Sequence, residues 1–198
     1  MKVCVVGAGA IGTFLGVHLA RSGCEVSAVA RGQTAAALRT HGLRLQQGGA
    51  VLAAPVRAAE EASALGRQDL VVVAVKGPSL PAAAAHVGPL LGPETVVLPA
   101  MNGVPWWFFY GLGGSHEGAA VRAVDPDGRV AAAIPVRHVI GCVVHATCSV
   151  REPGLVKHGF GRGLIIGEPR GGESDRVRAL ADRLIGRASC RERVLTDV

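Results

Sequence analysis

The stretch that most narrows what this chain can fold into is residues 1–31, MKVCVVGAGAIGTFLGVHLARSGCEVSAVAR. Val3, Val5 and Val6 read as a buried strand that runs into Gly7, Gly9 and Gly12, after which Ile11, Phe14, Leu15 and Leu19 recur at helical spacing. A second strand, roughly Glu25 to Val29, follows. This strand, turn, helix and strand order is the context that gives G-x-G-x-x-G its meaning. The first glycine permits a tight turn, the second lets backbone approach a pyrophosphate, and the third lets the helix pack close to the strand. The turn Gly7, Ala8, Gly9, Ala10, Ile11 and Gly12 is therefore the candidate cofactor-binding loop, with free N–H groups and a positive dipole end for the phosphates.

The end of the second strand in such a fingerprint carries Asp or Glu to hold a ribose 2′-hydroxyl, and this chain has Ala30 and Arg31 there. A planar guanidinium takes phosphate oxygens bidentately, which suits a 2′-phosphate. Arg31 thus predicts NADP(H) over NAD(H); its other reading is a solvated loop charge.

At 198 residues the chain can bury one good core and is somewhat long for one domain, so one domain plus a remnant is expected. Aromatic residues at 4% and charged residues at 18% suit a compact α/β protein and not a disordered one. The net charge is +6, but Lys and Arg are scattered and never interleave with aromatics, which argues against nucleic acid and for attraction to an anionic cofactor. Cys4, Cys24, Cys142, Cys148 and Cys190 are odd in number and lack metal-ligand spacing, so no metal is expected and a reducing cytoplasm fits best. A leader-like run at the N-terminus is broken by glycines. The uncharged stretch Thr95 to Ser115 is interrupted by Pro99, Asn102, Gly103 and Pro105, and reads as a buried strand and loop, not a membrane span.

Along the rest of the chain, Thr34 is expected to cap a short helix over Ala35 to Leu38 that Gly42 ends. Leu43 to Gln46 and Val51 to Ala53 flank Gly48-Gly49 as a hairpin, and Arg57 to Leu65 reads as helical before Gly66. Leu70 to Val75 is a central parallel strand entered through Asp69 and ending at Lys76. Leu80 to Leu91 is expected to be helical, and Thr95 to Leu98 is the next buried strand, meeting Asn102-Gly103. Asp125-Pro126-Asp127-Gly128 is a turn. Val136 to Thr147, Gly154 to His158 and Gly163 to Gly167 read as three antiparallel strands, and Arg176 to Leu184 as a helix. The fold class is α/β, a Rossmann-type doubly wound sheet, mostly parallel, with antiparallel strands added near the C-terminal end.

Ligands of open α/β sheets bind outside the carboxyl ends of the strands, so the glycine loop, Arg31, Lys76 and Asn102 are expected to face one crevice. Lys76 can orient a carboxylate or stabilise an oxyanion, or it can be a surface lysine at a loop entrance. Asn102 can donate and accept hydrogen bonds, yet Asn-Gly is also an ordinary turn dipeptide. Lys157, His158 and His145 fall in the antiparallel region and are candidate proton donors, with Lys157-His158 read instead as a strand edge, while His18 and His86 lie in predicted helices without a paired ligand. Trp106, Trp107, Phe108 and Phe109 are read as core or interface before pocket wall.

With the glycine fingerprint, Arg31, the VVVAVK ending at Lys76, the MNGV of residues 101–104, PGLVKHG and IIGEP, the chain from Met1 to about Leu184 resembles the ketopantoate reductase (2-dehydropantoate 2-reductase) family. The resemblance implies reduction of a small-molecule 2-keto acid with NADPH between an N-terminal dinucleotide domain and a C-terminal helical domain. It implies that the glycine loop holds the pyrophosphate, Arg31 the 2′-phosphate, and that Lys76 and Asn102 lie near nicotinamide and substrate. The family's general-acid lysine belongs to the helical domain, which is expected to begin after Leu184. The expected layout is therefore 1–168 as the dinucleotide domain, 169–184 as the start of a linker helix, and 185–198 as a tail. IGRASCRERV there resembles a translated sequencing-adapter fragment, so Arg187, Cys190, Arg191 and Arg193 are expected to carry no function. Exposed apolar surface and a homodimer are expected of a chain without its second domain. Two other readings stay open: a non-catalytic NADP-binding module, and a relative acting on β-hydroxyacids or imines.

Overall fold

A sheet of five short strands, four of them buried on both sides over most of their length, builds the centre of the molecule, because only a sheet covered on both faces can bury such runs. The structure, a computed structural model, describes residues 1–185. β1 (Lys2–Val6), β2 (Glu25–Val29), β5 (Arg57–Ala59), β6 (Leu70–Val73) and β7 (Val96–Pro99) are all parallel, in the order β5-β2-β1-β6-β7. Alternation sorts their side chains into two cores: Val3, Val5, Leu70 and Val72 on one face, Cys4, Val6, Val71 and Val73 on the other.

The first face is covered by α1 (Ala10–Arg21), the second by α3 (Leu80–Ala84) and α4 (Arg129–Ala133). α1 is buried continuously from Gly12 to Val17 because a second sheet lies on its far side. That sheet runs β4-β3-β9-β8, from the hairpin β3 (Leu43–Gln47) and β4 (Ala50–Ala54) to the long hairpin β8 (Gly141–Glu152) and β9 (Leu155–Gly167). β3 joins β9 in parallel, and Gly16 lets α1 come so close to β3 that a Cβ there would lie 2.7 Å from Leu43 Cδ1. α2 (Gly32–His41) completes this middle layer, and α5 (Asp175–Ile185) packs Val177, Leu180 and Ala181 into it.

Several expectations are corrected. Arg57 to Leu65 is not a helix: Arg57–Ala59 pairs with β2 as its outer neighbour, and only Ala62–Leu65 winds into a 3₁₀ turn. A free sheet edge outweighs alanine's helical preference there. The helix expected over Leu80 to Leu91 stops being α-helical at Ala84 and resumes as a 3₁₀ turn over Gly88–Leu90, where Gly88-Pro89 opposes a regular helix. α2 starts at Gly32, so Thr34 lies inside it and caps nothing. β6 ends at Val73, ahead of Lys76. Of the three antiparallel strands, Val136–His138 is a 3₁₀ turn before β8, and the other two are one continuous β9. Gly161 does not break β9; at φ +73° it lets the ribbon bulge, since a Cβ there would lie 2.3 Å from the His145 carbonyl oxygen. The hairpin over Gly48-Gly49 and the Asp125 turn are as expected, and the Asp125 carboxylate accepts from the Val130 and Ala131 N–H groups at the start of α4. Residues 186–198, nearly all of the expected tail, lie outside the described residues.

Candidate functional site

The glycine loop uses its three glycines for three different reasons. Gly7 has φ +99°, and a Cβ would lie 2.6 Å from Val75 Cγ1. At Gly12 a Cβ would fall 2.1 Å from the Gly7 carbonyl oxygen, so this residue lets α1 fold back onto β1. At Gly9 a Cβ would meet nothing within 4 Å: the space in front of it is open. Gly9 is also the N-cap of α1, without a side-chain cap and with no acidic residue in the first turn. Open volume at uncapped helix N–H groups fits a pyrophosphate.

That open side belongs to a cleft of about 770 Å³ lined by Gly7, Gly9, Ala10 and Ile11, by Ala74 to Gly77 and Ser79 after β6, by Ala100 to Asn102 after β7, and by Val144, Ala146, Cys148 and Val150 of β8. Of the residues singled out above, the loop, Lys76 and Asn102 are brought together. Ala8 and Gly12 lie behind the lining, where the Ala8 carbonyl accepts from the Thr13 hydroxyl at 3.2 Å. Arg31 does not line this cleft; it stands exposed at the N-cap of α2, bonded to the imidazole Nε2 of His86.

Lys76 is exposed and begins the 3₁₀ turn Gly77–Ser79. It has no ion-pair or side-chain hydrogen-bond partner among the described residues, and it is the one charged side chain among them on the cleft lining. Asn102 is committed differently. Its Nδ2 donates to the Val144 carbonyl at 3.0 Å and its Oδ1 accepts from the Val144 N–H at 2.8 Å, so the amide imitates a neighbouring strand and ties the end of β7 to β8. One N–H of Nδ2 is left over.

The wall supplied by β8 is what sequence reasoning missed. The period-two spacing of Val144, Ala146, Cys148 and Val150 was visible, but not the cleft it would face. Burial pushes the Cys148 thiol up to about 11, so it lines the wall as a neutral group and not as a thiolate. His145 lies on the opposite, exposed side of β8, and Lys157 and His158 line no part of the cleft. His18 is driven toward its neutral form by burial, then by Arg162, His158 and Arg21; Phe14 meets it edge-on at 4.8 Å and stacks on His158 at 5.4 Å. These histidines pack the outer side of α1.

Beyond the Asn102 tie lies a second, apolar cavity of about 430 Å³, between Pro99 to Trp107 and the residues Gly141 to Val143 and Ile165 to Gly172. Trp106, only 6% exposed, belongs both to the core and to this wall, and it meets Trp107 edge-on at 4.3 Å.

A parallel sheet whose first strand turns through three glycines into a helix, with its cleft at the carboxyl ends of the strands, defines a Rossmann-type α/β protein of the kind that holds dinucleotides. Within that class the chain belongs to the ketopantoate reductases: it matches the family described as Ketopantoate reductase PanE/ApbA over residues 3–171. It is 46% identical over 186 residues to a 2-dehydropantoate 2-reductase of Mesorhizobium japonicum, covering 93% of this chain and 57% of the relative. A crystal structure from Ralstonia solanacearum MolK2 assigned to the ketopantoate reductases superposes with a TM-score of 0.88 at 54% identity, over 92% of this chain and 56% of that one. A PanE/ApbA family ketopantoate reductase from Ralstonia eutropha JMP134 superposes at 0.71 and 30% identity, over 93% and 53%. The chain thus spans little more than half the length of the relatives it matches. No described helix is long and apolar enough to cross a membrane.

Proposed function

We propose that this chain is the NADPH-binding half of a reductase that converts a 2-keto acid, 2-dehydropantoate or a branched relative, to the 2-hydroxy acid. The observation that carries this reading is the lone ammonium of Lys76 in the same cleft as the open face of Gly9. A nicotinamide, when bound, supplies the hydride. The α1 N-terminus holds the pyrophosphate and Arg31 takes the 2′-phosphate. Lys76 attracts the substrate carboxylate or the negative charge that develops on the carbonyl oxygen. Asn102 positions the β8 wall through Val144 and keeps one N–H for cofactor or substrate. The apolar side chains of that wall exclude water from the reacting carbonyl. The proton donor is assigned to the helical domain that the resemblance implies. The test is steady-state turnover of 2-keto acids by a protein joining this chain to that domain. NADPH should be favoured strongly over NADH, and a protein that turns over no 2-keto acid overturns the reading.

A second reading, a non-catalytic NADP-binding module, is favoured by one fact. Besides Lys76, the titratable side chain on the described lining is Cys148, whose proton is held tightly. Reductase activity from the 198-residue chain alone would exclude it.

A further inference from the structure

Arg31 and His86 come from different layers of the fold and meet at one point. Arg31 follows β2, where Ala30 N–H donates to Ala59 at 3.0 Å, and its own carbonyl opens α2 by accepting from Ala35. His86 lies just past α3, in a turn where its N–H donates to Ala83 at 3.0 Å and the adjoining Val87 is fully buried. Both backbones are therefore anchored, and the two side chains touch in front of them at an exposed position.

The chemistry of this contact is unusual. A guanidinium has no acceptor, so His86 Nε2 must present its lone pair to Arg31. No carboxylate among the described residues is paired with Arg31, and nearby Glu60 on the β5 side is paired with Arg39. The start of α2 adds uncapped N–H groups with no acidic residue in the first turn. Two basic side chains in contact, next to a helix start and without an acid, form a place where a dianionic phosphate can come between them, with the guanidinium and an imidazole N–H each donating to its oxygens.

We infer that His86 is a specificity-determining residue that, together with Arg31, forms a two-sided clamp for the 2′-phosphate of NADPH. The inference rests on the NADPH reading above and extends it to a residue that no fingerprint marks. NADH offers only a 2′-hydroxyl to this clamp and gains nothing from its second side.

The test is direct binding to the full chain, by calorimetry, of NADPH, NADH, 2′,5′-ADP and 5′-AMP. The wild type is expected to favour each 2′-phosphorylated ligand over its partner. His86→Ala should weaken NADPH and 2′,5′-ADP by roughly tenfold while leaving NADH and 5′-AMP within about twofold. His86→Lys should restore the preference, and His86→Glu should reverse it; a merely structural role would move all four ligands together. If His86→Ala does not fold, His86→Gln removes the imidazole at closer to its own size and gives the same readout. A wild type without preference, or without binding, overturns the cofactor reading and the clamp with it. A preference that collapses in Arg31→Ala but survives in His86→Ala and His86→Glu overturns the clamp alone and leaves the cofactor reading standing.

Discussion

The two sides of the cleft are built on opposite principles. Its floor is the carboxyl edge of the parallel sheet, where β1 and β6 are only five and four residues long and buried on both faces. Its wall is β8, twelve residues paired with the thirteen of β9, and this ribbon leaves Val143 and Val150 largely exposed and Phe160 82% exposed. The floor holds the glycine loop closely: Gly12 answers to the Gly7 carbonyl within the loop, Gly7 takes a positive φ against Val75 and Ala74 beyond β6, and Gly9 alone is left open. The wall is placed by contacts that reach across the chain, above all the Asn102 tie to Val144, whose partners are 42 residues apart. A rigid local floor and a wall set from a distance make a cleft whose width depends on very few bonds.

The floor should be the harder side to change. Gly12→Val puts a Cβ where only 2.1 Å separates it from the Gly7 carbonyl oxygen, so α1 must move off β1. We expect a loss on the order of 3 kcal/mol in urea melts and no measurable nucleotide binding. Retained binding would mean that the floor is as pliant as the wall.

The wall should respond to the tie. Asn102→Ala leaves the Val144 N–H and carbonyl without their partner, costing about 1–3 kcal/mol, and should weaken nucleotide binding although the loop is untouched. Asn102→Asp keeps the bond from the Val144 N–H but sets an acceptor against the carbonyl. It should therefore be destabilised at neutral pH and recover as acid protonates the new carboxyl, which chemical melts at several pH values will show.

Farther along the ribbon, Arg176 first, and then the Ser174 hydroxyl, hold the Glu168 carboxyl below its ordinary value of 4.5. A depressed folded value means that the stabilisation is present above the unfolded carboxyl's titration and is lost as pH falls through the folded one. The Glu168→Gln variant should lose about 1 kcal/mol at pH 7, since solvent still reaches and screens this partly buried pair, and the difference from wild type should vanish in acid. The smallest effect belongs to Phe160→Ser, which should stay within about 0.5 kcal/mol in a thermal melt because the ring is already in solvent.

The same contrast explains what could be read beforehand. β1, the glycine loop, α1, β2, β6 and β7 rest on periodicity and on the spacing of Gly7, Gly9 and Gly12, and all were legible. Arg57–Ala59 was misread because its strand state comes from β2, not from its own alanines. Gly159 and Gly161 look like a strand break in one dimension, but Gly161 absorbs a bulge inside β9. The placement of Lys76 and Asn102 after neighbouring parallel strands was legible from their strand ends. The bond from Asn102 to Val144, and the meeting of Arg31 with His86, were not, because neither partner carries a local mark of the other.

A nucleotide that touches both sides of this cleft would leave its mark on amide hydrogen exchange of the chain with and without NADPH. Added protection is expected in residues 7–12 and 74–79 on the floor and, in the same titration, in residues 144–150 of the wall. Protection confined to the floor, with β8 exchanging as before, would contradict it.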